Sequence, residues 1–382
     1  MNENKNIANQ KLPLQGVGGL RIIISGGGTG GHIFPAIAIA NALKKLDPDT
    51  KILFVGAKGR MEMERVPAAG YKIIGLDIQG VQRNSIMKNL MLPFKLLGSV
   101  MKSIRIIKDF KPDAAVGVGG YASGPLLYAA SLKKIPYLIQ EQNSFAGITN
   151  KRLGKKAKKI CVAFDGMEQF FPADRIVKTG NPVRRDSVDI KDKRKEALDI
   201  FKFSADKKTL LVIGGSLGAR TLNTSVLTDL EKIIGADVQL IWQTGKYYYE
   251  EVKQKLGSDY SHNIRVMEFL NRMDLAYAAA DVIISRAGAG TIAELCVVGK
   301  PVILVPSPNV AEDHQTKNAE TLVKDNACEF ITDKNAVDEL IDSALKLLND
   351  EKKKKILSDN ISKLALPNAD EVIAKEVIQI TG

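Results

Sequence analysis

The sequence is poor in cysteine, histidine and tryptophan, which number three, three and one among 382 residues. The cysteines, Cys161, Cys296 and Cys328, are odd in number and scattered through apolar segments, so they cannot close a disulfide framework, and we expect a reducing compartment. No stretch reaches the roughly 18 uncharged apolar residues of a membrane-spanning helix. The first twenty residues lack the apolar run of a signal peptide, so we expect no export by that route.

The motifs of several common enzyme classes are also missing. The chain has no P-loop lysine motif, no nucleophile elbow and no paired metal-binding histidines, which removes the main support for an NTPase, a serine hydrolase or a metalloprotease. Asp47-Pro48-Asp49 has the acid-x-acid pattern with which some sugar transferases hold a metal. Because it lies between a helix and the start of a strand, where turn residues are common, we interpret it as a turn.

Positive charge is concentrated in the first half of the chain. Residues 1–180 carry 27 Lys and Arg against 12 Asp and Glu, whereas residues 181–382 carry 28 against 31. Such a one-sided field indicates an anionic partner, either an acidic membrane surface or nucleic acid, with a merely solvated face as the alternative. We expect no nucleic acid, because the basic residues are not interleaved with aromatic ones and no recognition motif accompanies them.

The richest basic stretch is segment 86–111, where lysines recur every seven residues among more apolar side chains than one buried stripe requires. This pattern favours a surface helix that lies on anionic lipid, and ordinary buried helices are the alternative. Pro93 and Gly98 are expected to break the segment into shorter helices. The residues that we expect at the membrane are Lys88, Phe94, Lys95, Leu97 and Lys102.

A strand, a glycine loop and a helix follow one another near the start of the chain. Residues 21–25 read as a strand, residues 26–31 as the loop, and Pro35 as the opening of a helix that ends near Lys45. The same pattern returns with a strand at 209–213. Further short strands are predicted at 52–55, 114–118, 137–140, 159–162, 239–243, 282–285 and 301–305.

The repeated pattern predicts two doubly wound α/β domains, which agrees with a chain of 382 residues at roughly 100–200 residues per domain. The second glycine loop covers 214–218 and its helix begins at about Ala219. We place the junction between residues 180 and 208, where charge and proline cluster. Because ligands bind at the carboxyl ends of strands in such sheets, we expect the site in the cleft between the domains.

Residues 26–31 formally contain G-x-G-x-x-G, yet Val55 at the end of the second strand is not followed by the acid that would hold a dinucleotide ribose. Glycines before a helix still allow close approach of an anionic group. His32 follows this loop at the helix start, where the positive end of the helix dipole keeps imidazole neutral, so it is a candidate general base. A histidine that only packs at a turn is the alternative.

Residues 281–291 form another strand followed by a loop of small residues and a helix, which leaves room for phosphates. Glu294 is placed three residues into that helix. It is either an acceptor for ribose hydroxyls or an ordinary acid in the first helical turn, and its position alone does not decide between these roles.

Several motifs in one order resemble the MurG family of bacterial glycosyltransferases over about residues 20–380. They are GGTGGH at 27–32, GGYASGP at 119–125, EQN at 141–143, GNPVR at 180–184, GGSLGA at 214–219 and RAGAGT at 286–291, followed by Gln315 and Asn318. The sequence departs from some relatives at Gln140, where they carry His, and at His314, where they carry Gln. Each motif alone is weak, and their combination is specific.

The resemblance implies a GT-B fold, in which two Rossmann-like domains face each other across a cleft. It also implies an N-acetylglucosaminyltransferase that uses UDP-N-acetylglucosamine, inverts the sugar carbon, and needs no cofactor and no obligatory metal. The implied acceptor is undecaprenyl-pyrophosphoryl-N-acetylmuramoyl-pentapeptide (lipid I) and the product is lipid II for peptidoglycan. The protein would lie peripherally on the cytoplasmic face of the bacterial membrane, on anionic lipid, with other cell-wall synthesis proteins as possible partners.

The family's site residues are carried over by position. The implied donor contacts are Ser216, Ala289, Gly290 and Thr291 at the phosphates, Glu294 at the ribose, Phe269 and Leu270 at the uracil, and Gln315 at the sugar. Thr29, Gly30, Gly31, Asn143 and Arg184 match further substrate-binding positions. His32 or Glu141 takes the proton from the acceptor hydroxyl, and we favour His32.

The resemblance also predicts how the chain is divided. We expect an extension at residues 1–20, an acceptor- and membrane-binding domain at 21–185, and a UDP-sugar-binding domain at 186–382 whose last helix returns to the first domain. Alternatives of the same fold are a UDP-sugar:diacylglycerol glycosyltransferase and a UDP-N-acetylglucosamine 2-epimerase. A non-enzymatic module that binds a nucleotide sugar or nucleic acid is the third alternative, and it would show no turnover.

Overall fold

The computed structural model describes residues 19–78, 92–257 and 262–382. Within these residues the strands form one sheet of seven and one sheet of six, and neighbouring strands pair in parallel in both. Helices cover both faces of each sheet, as expected when parallel strands are joined by helical crossovers. The predicted pair of doubly wound domains is confirmed.

The first sheet has the order β3-β2-β1-β4-β5-β6-β7. Its strands are β1 Arg21–Ser25, β2 Lys51–Ala57, β3 Lys72–Leu76, β4 Ala114–Gly117, β5 Tyr137–Glu141, β6 Lys159–Val162 and β7 Ile176–Lys178. In the register of the central strands, Ile24 lies beside Phe54 on one side and Val116 on the other. The strand order reverses direction between β1 and β4, so the loops after these two strands flank a crevice.

The second sheet has the order β10-β9-β8-β11-β12-β13. Its strands are β8 Thr209–Ile213, β9 Gln239–Gln243, β10 Ile264–Met267, β11 Val282–Ser285, β12 Val302–Leu304 and β13 Glu329–Phe330. Here the order reverses between β8 and β11, which places a second crevice at the glycine loop after β8.

The helices of the first domain region are α1 Gly30–Leu46, α2 Glu62–Ala68, α3 Leu92–Phe110, α4 Ser123–Leu132 and α5 Ile148–Gly154. Those that follow are α6 Arg185–Val188, α7 Arg194–Phe201, α8 Arg220–Thr228, α9 Leu230–Gly235, α10 Tyr249–Leu256, α11 Met273–Ala279 and α12 Ala289–Val298. The last are α13 His314–Lys324, α14 Ala336–Asn349, α15 Glu351–Lys363 and α16 Ala369–Gln379.

The apolar run of β1 explains how the first sheet is buried. Ile23 packs into the core layer on one face, whereas Ile22 and Ile24 pack into the layer on the other. All three side chains are fully buried. A strand covered on both faces therefore reads as a continuous apolar run rather than as an alternating one.

Two predictions about helices were wrong, namely the start of α1 at Pro35 and a break of α3 at Gly98. Helix α1 begins at Gly30 rather than Pro35, because the amide of Ile33 already donates to the carbonyl of Thr29 (3.2 Å), and Pro35 lies inside the helix. Helix α3 begins at Leu92, next to Pro93, so the predicted break at Pro93 falls at the edge of the described residues, whereas the helix runs through Gly98 without a break. Proline in the first turn lacks only an N–H that has no partner within the helix, and the surface of Gly98 is open.

The end of the chain lies against the first domain. Ile373, Ala374 and Val377 of α16 are fully buried in the core layer that contains the first turns of α1 and the strand β1. The carboxylate of Glu371 adds ion pairs to Lys45 (2.8 Å) and Arg185 (3.0 Å). The chain thus crosses between the domains a second time before it ends.

Candidate active site

Two cavities open at the crevices of the two sheets. The first, here the N-side cavity, measures ≈ 470 Å³ and is lined by the loops after β1, β4 and β5. The second, here the C-side cavity, measures ≈ 640 Å³ and is lined by the loops after β8, β11 and β12. Glu312 and His314 of the second domain also line the N-side cavity, so both domains contribute to it.

A buried carboxylate holds the first glycine loop. Glu62 is fully buried on α2 and accepts hydrogen bonds from the amides of Gly28 (3.0 Å) and Ala57 (3.0 Å). A Cβ on Gly27 would lie 2.2 Å from Oε1 of Glu62, so the loop passes this carboxylate only because residue 27 is glycine. Sequence reasoning missed Glu62, because its partners are backbone amides, one of them 34 residues away, and backbone groups leave no side-chain pattern.

His32, the predicted general base, lines the N-side cavity. Its Nδ1 lies 3.0 Å from the carbonyl of Val118 and 3.0 Å from Oε1 of Gln142. Burial lowers the pKa of His32 below its usual 6.5, and the negative charge of Glu141 opposes that shift only in part. The imidazole is therefore neutral at pH 7, as a general base must be.

Glu141, the other candidate base, is engaged in its own loop. Its carboxylate accepts hydrogen bonds from the amides of Asn143 (3.1 Å) and Gly147 (3.2 Å) and from Nδ2 of Asn150 (2.8 Å). The side chain is 2% exposed. A carboxylate with this many donors has its lone pairs occupied, so the arrangement indicates that Glu141 shapes the loop after β5.

The C-side cavity contains two of the predicted donor residues. Thr291 and Gln315 line it, beside the glycines of the loop after β8. Oε1 of Gln315 accepts the amide of Ser307 (2.9 Å), which fixes the start of α13 against the loop after β12. Arg286 also lines the cavity and is held by Asp333 and by the carbonyl of Val305 (3.0 Å).

Glu294 lies in the second turn of α12 rather than its first, because the helix begins at Ala289. The hydroxyl of Tyr277 donates to its carboxylate (3.3 Å), and the positive charge of Arg184 acts on both groups. Burial nevertheless raises the pKa of Glu294 and raises that of Tyr277 well above its usual value. The interpretation as an ordinary first-turn acid is wrong.

Two of the other predicted substrate residues line these cavities, and the rest do not. Thr29 and Asn143 line the N-side cavity, and Gly30 and Gly31 form the first turn of α1 beside it. Ser216 is exposed in the loop after β8, and its carbonyl accepts the amide of Lys246 (3.0 Å). Ala289 and Gly290 begin α12. Phe269 is half exposed, whereas the side chain of the adjoining Leu270 is buried.

Polar contacts cross between the domains beside the site. Asn318 of α13 is fully buried and accepts hydrogen bonds from the amide (2.9 Å) and hydroxyl (3.0 Å) of Ser144. Its own Nδ2 donates to Oδ1 of Asn143 (3.2 Å) and to the carbonyl of Ala287 (3.4 Å). One side chain therefore connects the loop after β5 to the loop after β11.

The acid-x-acid segment is a turn, as predicted. The amide of Thr50 donates to the carbonyl of Asp47 (3.1 Å), and the carboxylate of Asp47 accepts the amide of Asp49 (3.1 Å). Across the ranges that the structure describes, no group of three His, Cys, Asp or Glu side chains could hold a metal ion.

Helix α3 exposes apolar side chains on the surface of the first domain. Phe94, Leu97 and Met101 are 70%, 59% and 60% exposed, whereas Ser103 and Ile107 on the other side of the helix are buried. Among the predicted basic contacts, Lys95 lies 3.7 Å from the carboxylate of Asp77, Lys102 donates to the carbonyl of Gly75 (2.8 Å), and Lys88 lies outside the described residues. No helix in the described part of the chain is long and apolar enough to cross a membrane.

Two family models match the chain. Residues 22–162 match the glycosyltransferase family 28 N-terminal domain, and residues 209–373 match the glycosyltransferase family 28 C-terminal domain. The matches cover strands β2–β6 and β8–β13, all but the first residue of β1, and the glycine loops that follow β1 and β8.

The chain is also similar to named proteins along nearly its full length. It is 56% identical over 360 residues to the UDP-N-acetylglucosamine–N-acetylmuramyl-(pentapeptide) pyrophosphoryl-undecaprenol N-acetylglucosamine transferase of Parabacteroides distasonis, with 94% of this chain and 98% of that protein covered. It is 57% identical over 363 residues to the protein of the same name from Bacteroides thetaiotaomicron, with the same coverage.

Solved structures share the fold. The crystal structure of Acinetobacter baumannii MurG is 31% identical, with a TM-score of 0.78, and 94% of this chain and 99% of that chain are covered. The UDP-GlcNAc 2-epimerase from Neisseria meningitidis bound to UDP-GlcNAc is 15% identical, with a TM-score of 0.65, and 94% of this chain and 100% of that chain are covered. At that identity the second likeness shows the fold alone, and the predicted GT-B architecture is confirmed.

Proposed function

Because the chain belongs to glycosyltransferase family 28, we propose that it transfers N-acetylglucosamine from UDP-N-acetylglucosamine to the 4-hydroxyl of the muramoyl sugar in lipid I, forming lipid II for peptidoglycan. The observation that carries this function is identity above one half, over nearly the whole of both chains, to two transferases with that donor and acceptor in their names. The two cavities, one on each sheet, suit separate sites for acceptor and donor.

The C-side cavity is the proposed donor site. Loop amides after β8 and the start of α12 can hold the pyrophosphate, which supports contacts from Ser216, Ala289, Gly290 and Thr291. The half-exposed ring of Phe269 is available to the uracil, with the backbone of Leu270 beside it. In the remaining proposed contacts Glu294 binds the ribose, Gln315 binds a sugar hydroxyl, and Thr29, Gly30, Gly31, Asn143 and Arg184 face the substrates from the other side of the cleft.

His32 is the proposed general base of the N-side cavity. The proton of the muramoyl hydroxyl passes to Nε2 of His32, and the hydroxyl oxygen forms a bond to the anomeric carbon. The bond from that carbon to the β-phosphate oxygen breaks, and its electron pair leaves on UDP with inversion at the carbon. Developing charge on UDP is stabilised by amides and the dipole at the start of α12, so we propose that no metal is required.

The acceptor is a lipid, and helix α3 offers a surface for it. The exposed side chains of Phe94, Leu97 and Met101, with basic residues on the same helix, suit an interfacial helix on anionic lipid. We therefore propose that the protein binds the cytoplasmic face of the bacterial membrane peripherally. Other cell-wall synthesis proteins are further proposed partners at that membrane.

The experiment is an assay of sugar transfer by the purified full chain in detergent. Radiolabelled UDP-N-acetylglucosamine is offered with lipid I, with diacylglycerol, or alone, each with and without EDTA. Labelled lipid that forms only with lipid I, and equally well in EDTA, supports the proposal. Label on diacylglycerol, or an epimerised donor without acceptor, would assign one of the two alternative activities of the same fold, and loss of transfer in EDTA would overturn metal independence.

A further inference from the structure

A chain of hydrogen-bonded, buried side-chain amides connects His32 to the first residue of α12, the helix that follows the loop after β11. Nδ1 of His32 lies 3.0 Å from Oε1 of Gln142, whose Nε2 donates to Oε1 of Gln140. Nε2 of Gln140 donates to Oδ1 of Asn181 (2.8 Å), and Nδ2 of Asn181 donates to the carbonyl of Ala289 (3.2 Å). The chain runs from the first domain to the first residue of α12 in the second.

Backbone carbonyls determine the direction of every bond in this chain. Nδ2 of Asn181 lies between the carbonyls of Gln142 (3.0 Å) and Ala289, so this position must hold a donor and Oδ1 must face Gln140. Gln140 then has to present its Nε2 to Asn181 and its Oε1 to Gln142. The Nε2 of Gln142 also donates to the carbonyl of Val118 (2.6 Å), so its Oε1 faces His32.

The directions of these hydrogen bonds determine which ring nitrogen of His32 carries the hydrogen. Both groups around Nδ1, the carbonyl of Val118 and Oε1 of Gln142, are acceptors, so Nδ1 must carry the hydrogen. The lone pair of the neutral ring is then on Nε2, which the proposed reaction requires. In the other tautomer an unprotonated Nδ1 would face two oxygens, and Nε2 would carry a hydrogen and could not accept the acceptor's proton.

We propose that Gln142 is a positioning residue that, together with the carbonyl of Val118, holds His32 in the base-competent tautomer, and that Gln140 and Asn181 connect this positioning to the donor-binding helix α12. The proposal rests on the proposed transferase function of the cleft. Gln140, Gln142 and Asn181 are 0%, 3% and 3% exposed, so water does not readily replace a lost hydrogen-bond partner.

Changing Gln142 to Glu tests the direction of the chain, because a carboxylate can only accept. The new charge beside Nδ1 favours the imidazolium, so the pKa of His32 rises and the acid limb of kcat/KM moves to higher pH, by about one to three units. The charged and titratable groups already facing His32 are Glu141 and His314, and both are retained in the variant. Gln142→Leu removes one of the two acceptors at Nδ1 and leaves the carbonyl of Val118. We expect kcat to fall about 10- to 100-fold with little change in KM for either substrate.

A readout independent of turnover is the nitrogen NMR signal of the histidines. The chain has only His32, His262 and His314, so the signals of His32 can be assigned with a His32→Gln variant. The wild type is expected to show an Nδ1-protonated ring, and Gln142→Leu is expected to show a mixture of tautomers. Asn181→Asp, which breaks the chain at its far end, is expected to shift the same signals. The control is Gln169→Leu, because Gln169 is exposed and contacts only its own turn.

Failure of this inference differs from failure of the proposed function. If wild-type protein does not form labelled disaccharide lipid from lipid I, the function itself is wrong. If the wild type transfers the sugar, but Gln142→Glu keeps the wild-type acid limb and Gln142→Leu keeps a single Nδ1-protonated ring, the positioning role of Gln142 is overturned. Equal tautomer signals in Asn181→Asp and wild type would overturn the connection to α12.

Discussion

At the scale of single residues, the site depends on glycines that leave room for functional side chains. Gly119 adopts φ +98°, and a Cβ there would lie 2.7 Å from Cε1 and Nδ1 of His32. A Cβ on Gly120 would likewise lie 2.2 Å from the carbonyl oxygen of Gly27. The loops after β1 and β4 therefore pack together only because glycines stand at these positions. The imidazole of His32 lies directly against the loop after β4.

The first prediction concerns Gly119→Ala. The added methyl displaces the ring of His32 and strains a backbone with positive φ, so we expect kcat to fall by at least tenfold and the free energy of unfolding to fall by about 1–3 kcal/mol. Denaturant unfolding and steady-state kinetics measure the two effects. Gly235→Ala is the matched control, because a Cβ at Gly235 meets nothing within 4 Å. Wild-type kinetics in Gly119→Ala would show that the ring position does not depend on this glycine.

The second prediction concerns Glu141→Gln, which replaces one acceptor oxygen with a donor facing backbone or amide N–H groups. We expect the free energy of unfolding to fall by about 1–3 kcal/mol, because buried donors lose their partner. The acid limb of the kcat/KM profile should persist and move to lower pH, because the negative charge of Glu141 that raises the pKa of His32 is lost. Disappearance of that limb in Glu141→Gln would identify Glu141, and not His32, as the base.

The sequence indicated His32 and the glycine loops, because glycines before a helix and a histidine at its start form a local pattern. Glu62 and Gln142 were not identified as functional. Glu62 supports the loop through backbone amides that come together only when β1, β2 and α2 are packed. The importance of Gln142 depends on a histidine 110 residues away, so no local pattern reveals it.

At the scale of secondary-structure elements, central strands were predictable and edge strands were not. β1, β8 and β11 each contain an unbroken run of three or four apolar residues and were recognised within a residue of their bounds. β13 has two residues, Glu329 and Phe330, and β7 ends in an exposed lysine, so neither has the apolar run of a buried strand. These strands are defined by their neighbours in the sheet.

The third prediction concerns the exposed face of α3. Replacing Phe94, Leu97 and Met101 together by Ser removes three apolar side chains from this face. Full burial of one such side chain in lipid stabilises binding by about 1.5–3 kcal/mol, so binding to anionic vesicles should weaken more than tenfold. Vesicle co-sedimentation measures this, and transfer to lipid I in detergent should persist. The control replaces Ile200 and Ile356, exposed apolar residues of other helices, by Ser. Unchanged vesicle binding in the triple variant would mean that α3 is not the membrane surface.

At the scale of the whole molecule, the site belongs to neither domain alone. Glu312 and His314 of the second domain line the N-side cavity, and Asn318 forms hydrogen bonds to both the loop after β5 and the loop after β11. The sequence predicted two domains and a cleft, because each domain has its own repeated pattern. Which side chains meet across the cleft was not predictable, since that depends on how two separately folded sheets are packed.

The fourth prediction concerns Asn318→Ala. Loss of this side chain leaves the Ser144 amide and Oδ1 of Asn143 without the hydrogen bonds they make to Asn318, so we expect the free energy of unfolding to fall by about 1–3 kcal/mol. We also expect weaker binding of UDP-N-acetylglucosamine, because the loops of the two domains are no longer held together. Thermal unfolding with and without donor, and calorimetric titration, measure both. Asn349→Ala on the surface is the control. If Asn318→Ala gives the same unfolding temperature and the same donor affinity as Asn349→Ala, the interdomain contacts do not support the donor site.

In the proposed reaction, neutral His32 removes the acceptor's proton in a cleft built by both domains. The pH dependence of kcat/KM for transfer to lipid I, compared between wild type and His32→Gln, tests this role of His32. The wild type should lose activity only as the pH falls below 6.5, because burial lowers the pKa of His32 and protonation removes the base. The variant should be slower by about 10²- to 10⁴-fold and lack that acid limb. A variant with wild-type rates, or with the same acid limb, would contradict the claim.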